Sequence, residues 1–174
     1  MSESFFKDKI AVVSGAGGTL GSAVAEELAR RGAKTALLGR TLEKLERVAA
    51  RIRETGGTAL AVAVDVTDAA SVEAARQVIN KEWGPCAFLV NAAGGNQTEA
   101  VTTITATQAD WDACLDLNLR GSWFCAREAH PLLCAAGGGS IVTIASTHGI
   151  RSSKNSFPYS AAKGAAGANP LTGR

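Results

Sequence analysis

The stretch KIAVVSGAGGTLG, residues 9–21, decides the fold. Its first part, Lys9 to Ser14, is a short and mostly apolar run that predicts a buried strand. Glycines cluster directly after it, and Ser22 to Arg31 then predicts a helix with Gly32 as its C-terminal stop. A glycine-rich turn at the N-terminus of a helix lets backbone N–H groups reach phosphate oxygens, and the helix dipole favours negative charge there. The stretch therefore predicts the phosphate-binding turn of a dinucleotide-binding βα unit.

The same alternation of a short apolar run and an amphipathic stretch repeats along the chain. Further strands are predicted at Lys34–Leu38, Ala59–Val64, Cys86–Val90 and Ser140–Ala145. Helices are predicted after the capping residue Thr41, at Thr67–Trp83, from about Thr107 to near Ala136, and from Tyr159 to about Ala166. The third strand is apolar throughout, which predicts that both of its faces are covered. Five strand-then-helix units predict an α/β fold with a doubly wound parallel (Rossmann) sheet, built as one domain over residues 1–174.

The composition argues against several classes of protein. Hydrophobic residues make up 46% and charged residues 20% of the 174 residues, which is typical of a globular protein. The net charge is +2 and no block of like charges occurs, so neither a nucleic acid nor a membrane is expected as a partner. No apolar run could span a bilayer and the N-terminus does not read as a signal peptide, so a cytoplasmic protein is expected. The four cysteines form no CxxC pair and have no suitably spaced histidine nearby, which favours reduced thiols and predicts no metal site.

The end of the second predicted strand bears on the choice of cofactor. An NAD site usually places Asp or Glu there to bind the ribose 2′-hydroxyl. No acidic residue occurs between Gly32 and Glu43, and the strand ends in Leu38-Gly39-Arg40. A guanidinium group pairs well with phosphate oxygens, so Arg40 favours the 2′-phosphate of NADP. NAD, with Arg40 as an ordinary exposed side chain, is the alternative.

A second group of polar residues lies near the C-terminal end of the sequence. Tyr159 and Lys163 are four residues apart, so on a helix they lie on the same face. A tyrosine hydroxyl is a weak acid, but a nearby ammonium group favours its phenolate form and makes it usable as an acid or base. Ser146, at the end of the fifth predicted strand, is placed to hydrogen-bond a substrate oxygen beside the tyrosine. The three residues predict a site for proton transfer.

These motifs resemble those of the short-chain dehydrogenase/reductase family over nearly the whole chain. The family's TGxxxGxG motif is matched by Ser14–Gly21, with Thr19 in place of the middle glycine. Its NNAG motif is matched by Asn91–Gly94, with Ala92 in place of the second asparagine. The remaining matches to the family are Asp65 in Val64–Val66, Asn118 in Leu117–Gly121, Ser146, and the YxxxK motif of Tyr159–Lys163.

The resemblance implies a role for each matching residue. Tyr159 would donate the proton, Lys163 would support it and bind the nicotinamide ribose, and Ser146 would orient the carbonyl. Asn118 would hold a water in the proton relay, although it could instead bond the helix backbone. Asp65 would face the adenine, although it could instead turn the chain at a strand end. The residues expected to bind the cofactor are Gly15, Gly17, Gly18, Thr19, Leu20, Gly21, Arg40, Asp65, Val66, Asn91, Ala92, Ala93, Gly94, Tyr159 and Lys163.

The resemblance also bears on the substrate and on the length of the chain. The loop Asn91–Thr98 (NAAGGNQT) is similar to that of family members acting on sugar acids such as mannonate or gluconate. Reductases of ketones bound to acyl carrier protein share most of the same motifs. Complete family members form homo-oligomers and continue with two more strands, whereas this chain stops 11 residues after Lys163. The sequence therefore predicts an NAD(P)-dependent oxidoreductase acting on a carbonyl or secondary alcohol, with a non-catalytic dinucleotide-binding fragment or a truncated gene product as the alternative.

Overall fold

Five parallel strands form the sheet of the computed structural model, which describes residues 5–96, 101–151 and 155–168. The strands are β1 (Ile10–Ser14), β2 (Lys34–Gly39), β3 (Thr58–Ala63), β4 (Phe88–Asn91) and β5 (Ser140–Thr143). Their order across the sheet is β3-β2-β1-β4-β5, and each neighbouring pair is parallel. The predicted α/β fold with a doubly wound parallel sheet is therefore confirmed.

Helices connect the strands within the described ranges. They are α1 (Thr19–Arg30), α2 (Leu42–Glu54), α3 (Ala69–Trp83), α4 (Gln108–Leu115), α5 (Gly121–Ala135) and α6 (Phe157–Gly167). A π-helical turn over Asp116–Arg120 joins α4 to α5, so the predicted long helix is one helical region with a wider turn in its middle. A 3₁₀ turn over Thr147–Gly149 lies between β5 and α6.

Two apolar layers cover the sheet, one on each face. Successive side chains of a strand point to opposite faces, so neighbouring residues of β1 belong to different layers. Val12 packs in a cluster with residues of α3 and α5 that include Ile79 and Leu132. Val13 packs in a second cluster with residues of α1 and α2 that include Ala25 and Leu45. The central strand is therefore buried on both faces, as its apolar sequence predicts.

The third strand differs from its prediction. β3 lies at one edge of the sheet and pairs with β2 alone. Within β3 only Ala59 is buried, Leu60 and Val62 are half-buried, and Ala63 is exposed. The expectation that both faces of this strand are covered is wrong, because an edge strand receives less cover from the helices than a central one.

The order of the strands creates a crevice beside β1. The chain leaves β1 toward β2 and returns to the other side of β1 as β4, so the loops that follow β1 and β4 diverge. Doubly wound sheets bind their ligands at such a switch point, outside the carboxyl ends of the strands. The glycine cluster after β1 and the Asn91–Gly94 motif after β4 both lie at this edge of the sheet.

Candidate functional site

A cavity of about 470 Å³ opens at the carboxyl ends of the strands. Its wall combines the glycine turn, the end of β2, the segments after β3 and β4, and two residues of α6. The lining residues are Gly15, Gly18, Thr19, Leu20, Gly21, Gly39, Arg40, Val64, Asp65, Val66, Ala92, Ala93, Gly94, Gly95, Leu117, Ile144, Ala145, Tyr159 and Lys163. Most residues expected to bind the cofactor, together with Tyr159 and Lys163, therefore meet in one space, although they are spread over nearly 150 residues of sequence.

Glycine is required at two points of the turn after β1. Gly15 has a φ of +68°, and a Cβ there would lie 2.6 Å from the backbone nitrogen of Ala93. A Cβ on Gly21 would overlap the carbonyl oxygen of Gly15. Gly18 is the N-cap of α1 and has no side chain to cap the helix. The first N–H groups of α1 are therefore left at the cavity without a side-chain acceptor, which suits a phosphate group.

Gly17 lies apart from the other glycines of this turn. It does not line the cavity, and a Cβ at this position would lie 3.1 Å from Cβ of Lys44 on α2. Its small size therefore serves the packing of the turn against α2 in this structure, whereas its expected contact with the cofactor stays a prediction.

Arg40 and Asp65 stand on neighbouring segments at the β2–β3 side of the cavity. Oδ1 of Asp65 accepts hydrogen bonds from the backbone nitrogen and the hydroxyl of Thr67, at 2.9 and 2.8 Å. These two bonds, with a smaller contribution from the positive charge of Arg40, hold the pKa of the Asp65 carboxyl below its usual range. Asp65 thus turns the chain after β3, as one alternative proposed, and it also lines the cavity as a carboxylate.

The segment after β4 approaches the cavity with its backbone. The backbone nitrogen of Ala93 donates to the hydroxyl of Ser14 at 3.2 Å, which ties this segment to the end of β1. Asn91 is buried and does not line the cavity; its Nδ2 donates to the carbonyl oxygen of Ser122 at 3.2 Å and to the hydroxyl of Thr143 at 3.4 Å. The Asn91 side chain therefore links β4 to α5 and β5. Residues 97 and 98 of the sugar-acid-like loop lie outside the described residues.

Asn118 sits in the π-helical turn and is fully buried. Its side-chain amide pairs with both backbone groups of Gly95: Oδ1 accepts from the nitrogen and Nδ2 donates to the oxygen, each at 3.0 Å. Nδ2 also donates to the carbonyl oxygen of Cys114 at 3.0 Å, so the expected alternative of a bond to helix backbone is present. A Cβ on Gly94 would lie 2.8 Å from Oδ1 of Asn118. The Asn118 side chain therefore fixes the glycine segment that lines the cavity.

Tyr159 and Lys163 project from α6 into the same cavity. Lys163 is only 5% exposed, and its Nζ donates to the carbonyl oxygen of Ile144 at 2.8 Å. Nζ lies 5.9 Å from the centre of the Tyr159 ring. Burial lowers the pKa of Lys163, because the charged form loses solvation in the interior.

Ser146 lies at the start of the 3₁₀ turn and does not line the cavity. Its hydroxyl oxygen accepts a hydrogen bond from the backbone nitrogen of His148 at 3.2 Å, so it caps this short turn. The hydroxyl proton is still free to be donated to another oxygen. The structure therefore brings Tyr159 and Lys163 to the cavity wall, whereas Ser146 is not one of the residues that line the cavity.

Sequence reasoning missed two residues of this region. The ring of His148 contacts the ring of Tyr159 nearly perpendicularly, with 5.7 Å between the ring centres. A Cβ on Gly149 would lie 2.7 Å from backbone atoms of Lys163 and Gly164. Neither residue lines the cavity and no motif marks them; the one signal in the sequence is their position two and three residues after Ser146 in STHG.

Two kinds of feature are absent from the described ranges, a cluster of metal ligands and a membrane-spanning helix. Within residues 5–96, 101–151 and 155–168, no three His, Cys, Asp or Glu side chains come together in a way that could hold a metal ion. Among the helices of those ranges, none combines the length and the apolar character needed to cross a membrane.

Comparison with known proteins links the chain to one group of enzymes. A family model described as short chain dehydrogenase matches residues 9–169. An uncharacterized oxidoreductase of Staphylococcus aureus strain USA300 is 34% identical over 158 residues, which cover 91% of this chain and 67% of that protein. The resemblance seen in the sequence is thereby confirmed.

Two solved structures show which cofactors similar proteins bind. A metagenomic short-chain oxidoreductase in complex with NADP has a TM-score of 0.88 and 31% identity, covering 93% of this chain and 73% of its own. A protein from Haemophilus influenza, provisionally named a D-mannonate oxidoreductase and bound to NAD, has a TM-score of 0.85 and 28% identity, covering 91% and 62%. The chain thus spans roughly two thirds of the length of these similar proteins, of which one binds NADP and another NAD.

Proposed function

Because the chain belongs to the short chain dehydrogenase family, we propose that it is an oxidoreductase that moves a hydride between a nicotinamide dinucleotide and a secondary alcohol or its carbonyl. One observation carries the proposal: the glycine turn and the Tyr159–Lys163 pair line the same cavity. The glycine turn suits a pyrophosphate, and the Tyr159–Lys163 pair suits proton transfer. A dinucleotide whose pyrophosphate binds at the turn would therefore have its nicotinamide end beside an acid/base group.

The residues of the cavity fit a dinucleotide. Gly15, Gly21 and Gly94 each stand where a Cβ would overlap a neighbouring group, so a bare backbone is required along the wall. The uncapped N-terminus of α1 would hold the pyrophosphate, Asp65 the adenine, and Lys163 the nicotinamide ribose.

NADP is the cofactor that we propose in preference to NAD. Arg40 is exposed on the cavity wall at the end of β2, where the second phosphate of NADP would lie. No acidic side chain precedes it on β2 to bind a free 2′-hydroxyl. The carboxylate of Asp65 is engaged with Thr67 through one oxygen, and its negative charge is partly balanced by Arg40. The guanidinium group of Arg40 would therefore supply the positive charge that binds the 2′-phosphate of NADP.

The chain's own residues would handle the proton. When bound, the nicotinamide ring accepts or supplies the hydride. In the direction of alcohol oxidation, the Tyr159 phenolate takes the hydroxyl proton as the carbonyl forms, and in reduction the Tyr159 hydroxyl returns it. Lys163 stabilises the phenolate form by its charge, and Ser146 would orient the substrate oxygen if its hydroxyl turns toward the cavity. Asn118 contributes by holding the Gly94–Gly95 segment. Because its side-chain amide is buried and paired with Gly95 and Cys114, a water of the proton relay would have to bind its backbone and not its side chain.

The substrate that we propose is a small polyhydroxylated molecule, a sugar acid above all. The sequence of the Asn91–Thr98 loop supports this class, as does the provisional D-mannonate oxidoreductase with a similar structure. We also propose a cytoplasmic location and a homo-oligomeric assembly, in keeping with the family and with the four free cysteines.

Purified protein tests the proposal directly. Titration with NADPH and NADH, followed by nicotinamide fluorescence, should give binding of both with the lower Kd for NADPH. Oxidation of gluconate, xylitol and butan-2-ol, followed by NADPH absorbance, should then reveal turnover that Tyr159→Phe abolishes while cofactor binding persists. Cofactor binding without turnover of any alcohol or carbonyl would favour the non-catalytic dinucleotide-binding alternative.

A further inference from the structure

His148 lies beside the group proposed to transfer the proton. It is the middle residue of the 3₁₀ turn Thr147–Gly149, between β5 and α6. Its ring is half-buried and stands nearly perpendicular to the ring of Tyr159, with 5.7 Å between the ring centres. The chain has two histidines, and the other one, His130, is exposed on α5.

The backbone holds His148 firmly in this place. Its backbone nitrogen donates to the hydroxyl of Ser146 at 3.2 Å. The next residue, Gly149, packs so closely on α6 that a Cβ would lie 2.7 Å from backbone atoms of Lys163 and Gly164. The turn that carries the imidazole is therefore seated on the helix that carries Tyr159. A side chain positioned by such contacts is suited to recognise a bound molecule, because little freedom is lost on binding.

The hydrogen bonding of the ring is incomplete. Nδ1 is buried and has no hydrogen-bond partner among the described residues. A proton on Nδ1 would be a buried N–H group without an acceptor, which is unfavourable. Of the two tautomers of the neutral ring, the one with its proton on Nε2 is therefore favoured, and in it the tip of the ring is a hydrogen-bond donor.

Packing alone does not account for a histidine at this position. A phenylalanine would make the same perpendicular ring contact without burying an unpaired nitrogen. Burial of an unpaired Nδ1 lowers stability, and a hydrogen-bond donor at Nε2 that serves a function would offset this loss. Within the described ranges, Nε2 forms no hydrogen bond with the protein, so the donor is available to a ligand.

We propose that His148 is a specificity-determining residue whose Nε2–H donates to an oxygen substituent of the substrate close to the reacting carbon. The inference rests on the proposed function, in which Tyr159 holds the oxygen of that carbon. Because the His148 ring contacts the Tyr159 ring, with 5.7 Å between the ring centres, the proposed acceptor is an oxygen on a carbon adjacent to the reacting one or on the carbon beyond it. A hydroxyl or a carboxylate oxygen meets this requirement, so polyols and sugar acids are preferred over simple secondary alcohols.

Histidine-labelled protein gives a test that does not depend on turnover. Two-dimensional ¹H–¹⁵N spectra of the two imidazoles, assigned with the control variant His130→Gln, are recorded with NADP⁺ present. Gluconate or xylitol should shift the Nε2 signal of His148 and leave His130 unchanged, and butan-2-ol should shift neither. A response to gluconate alone identifies the carboxylate as the acceptor, and a response to both identifies a hydroxyl. The proposal is overturned if His148 fails to respond to all three probes or responds equally to butan-2-ol.

Kinetics provide the second arm. His148→Leu should lower kcat/KM for gluconate or xylitol about tenfold, the scale of one lost hydrogen bond, and change that for butan-2-ol much less. His148→Gln, whose amide nitrogen can stand near the position of Nε2, should recover most of the loss. An equal loss for all three alcohols would mean that His148 only supports Tyr159. Lack of turnover in the unmodified protein counts against the proposed function, whereas the spectra decide the role of His148 separately.

Discussion

Nζ of Lys163 donates a hydrogen bond to the carbonyl oxygen of Ile144, at 2.8 Å. This bond joins α6 to the chain directly after β5 and fixes the ammonium group 5.9 Å from the centre of the Tyr159 ring. An ammonium group has three protons to donate. Because Ile144 takes one of them, the other two are available on the cavity side, where ribose and the tyrosine are proposed to meet.

Replacement of Lys163 should therefore impair two functions at once. Lys163→Met keeps the length of the side chain but removes its charge and its donors. We expect a weaker affinity for NADPH and a turnover at least tenfold lower, because both ribose binding and the support of the phenolate are lost. Fluorescence titration and initial rates measure the two effects separately. Lys81→Met, an exposed change on α3, is the control, and a Lys163→Met protein with normal rates would contradict the prediction.

Arg40 should decide the preference for NADP. Arg40→Ala should weaken the binding of NADPH by about 1–3 kcal/mol, the scale of a lost charge-assisted hydrogen bond. The affinity for NADH should stay nearly unchanged. Gly39→Asp should move the preference toward NADH, because a carboxylate binds the 2′-hydroxyl and repels the 2′-phosphate. A Cβ at this position would lie 3.3 Å from Cδ2 of Leu45, a buried side chain that would have to shift by a few tenths of an ångström.

Titration of both cofactors against each variant measures this preference. Arg47→Ala, an exposed change on α2, controls for a general loss of positive charge near the site. Equal affinity of the unmodified protein for the two cofactors would show that Arg40 makes no useful contact with the phosphate.

The sheet and the glycine turn could be predicted because their signals are local. Short apolar runs such as Lys9–Ser14 give strands wherever they pack, and the turn after β1 needs Gly15 for its positive φ. The spacing of Tyr159 and Lys163 likewise fixes their common face on any helix. These features depend on neighbours in sequence, and the structure agrees with them.

Features that depend on neighbours in space could not be predicted. The apolar sequence of Ala59–Val64 does not reveal that β3 lies at the edge of the sheet. The pairing of Asn118 with Gly95 joins a helix to a loop 23 residues earlier, and nothing in the sequence marks the π-helical turn that allows it. The contact between His148 and Tyr159 depends on how the 3₁₀ turn docks on α6, so the histidine carried no signal of its own.

The docking of the 3₁₀ turn on α6 should control turnover. A Cβ on Gly149 would lie 2.7 Å from the backbone of Lys163, so Gly149→Ala must displace α6 or the turn. We expect kcat to fall at least tenfold, because displacement of the acid/base group by about 1 Å is costly to catalysis. Gly164→Ala, whose Cβ would lie 3.2 Å from the Gly149 oxygen, should have a smaller effect.

Gly167→Ala is the matched control on the same helix. Its Cβ would make an ordinary contact, 3.6 Å from Cβ of Ala145, and alanine favours helix formation. Rates and NADPH affinities of the three variants should rank Gly149→Ala, Gly164→Ala and Gly167→Ala from most to least damaged. Comparable rates for Gly149→Ala and Gly167→Ala would contradict the close packing of the turn on α6.

Buried thiols should make the protein lose stability in alkali. Burial raises the pKa of Cys86 to about 11 and that of Cys125 to about 12, from an ordinary value of 9.0. Below about pH 9 each thiol is protonated in both states, and its contribution to folding is fully present. Between pH 9 and 11 the unfolded chain releases these protons while the folded chain keeps them, so the free energy of unfolding falls as pH rises. Each thiol contributes up to about 1.4 kcal/mol per pH unit, or about 3 kcal/mol over this range.

Urea denaturation in reducing buffer at about pH 8, 9, 10 and 11 measures this slope. Cys86→Ala and Cys125→Ala each remove one thiol and should flatten the curve, although both also lower stability at pH 8 by loss of packing. The lowered pKa of Lys163 acts in the opposite direction, because below about pH 10.5 the unfolded lysine keeps a proton that the folded lysine has released, so stability rises with pH. That effect is the same in every variant, so the difference in slope reports the thiols alone. Cys134→Ala, at an exposed position, should run parallel to the unmodified protein. The prediction fails if the plots of unfolding free energy against pH for all three variants run parallel to that of the unmodified protein. Cys86 and Cys125 would then have to be open to solvent, in conflict with their burial in the cluster that includes α3 and α5.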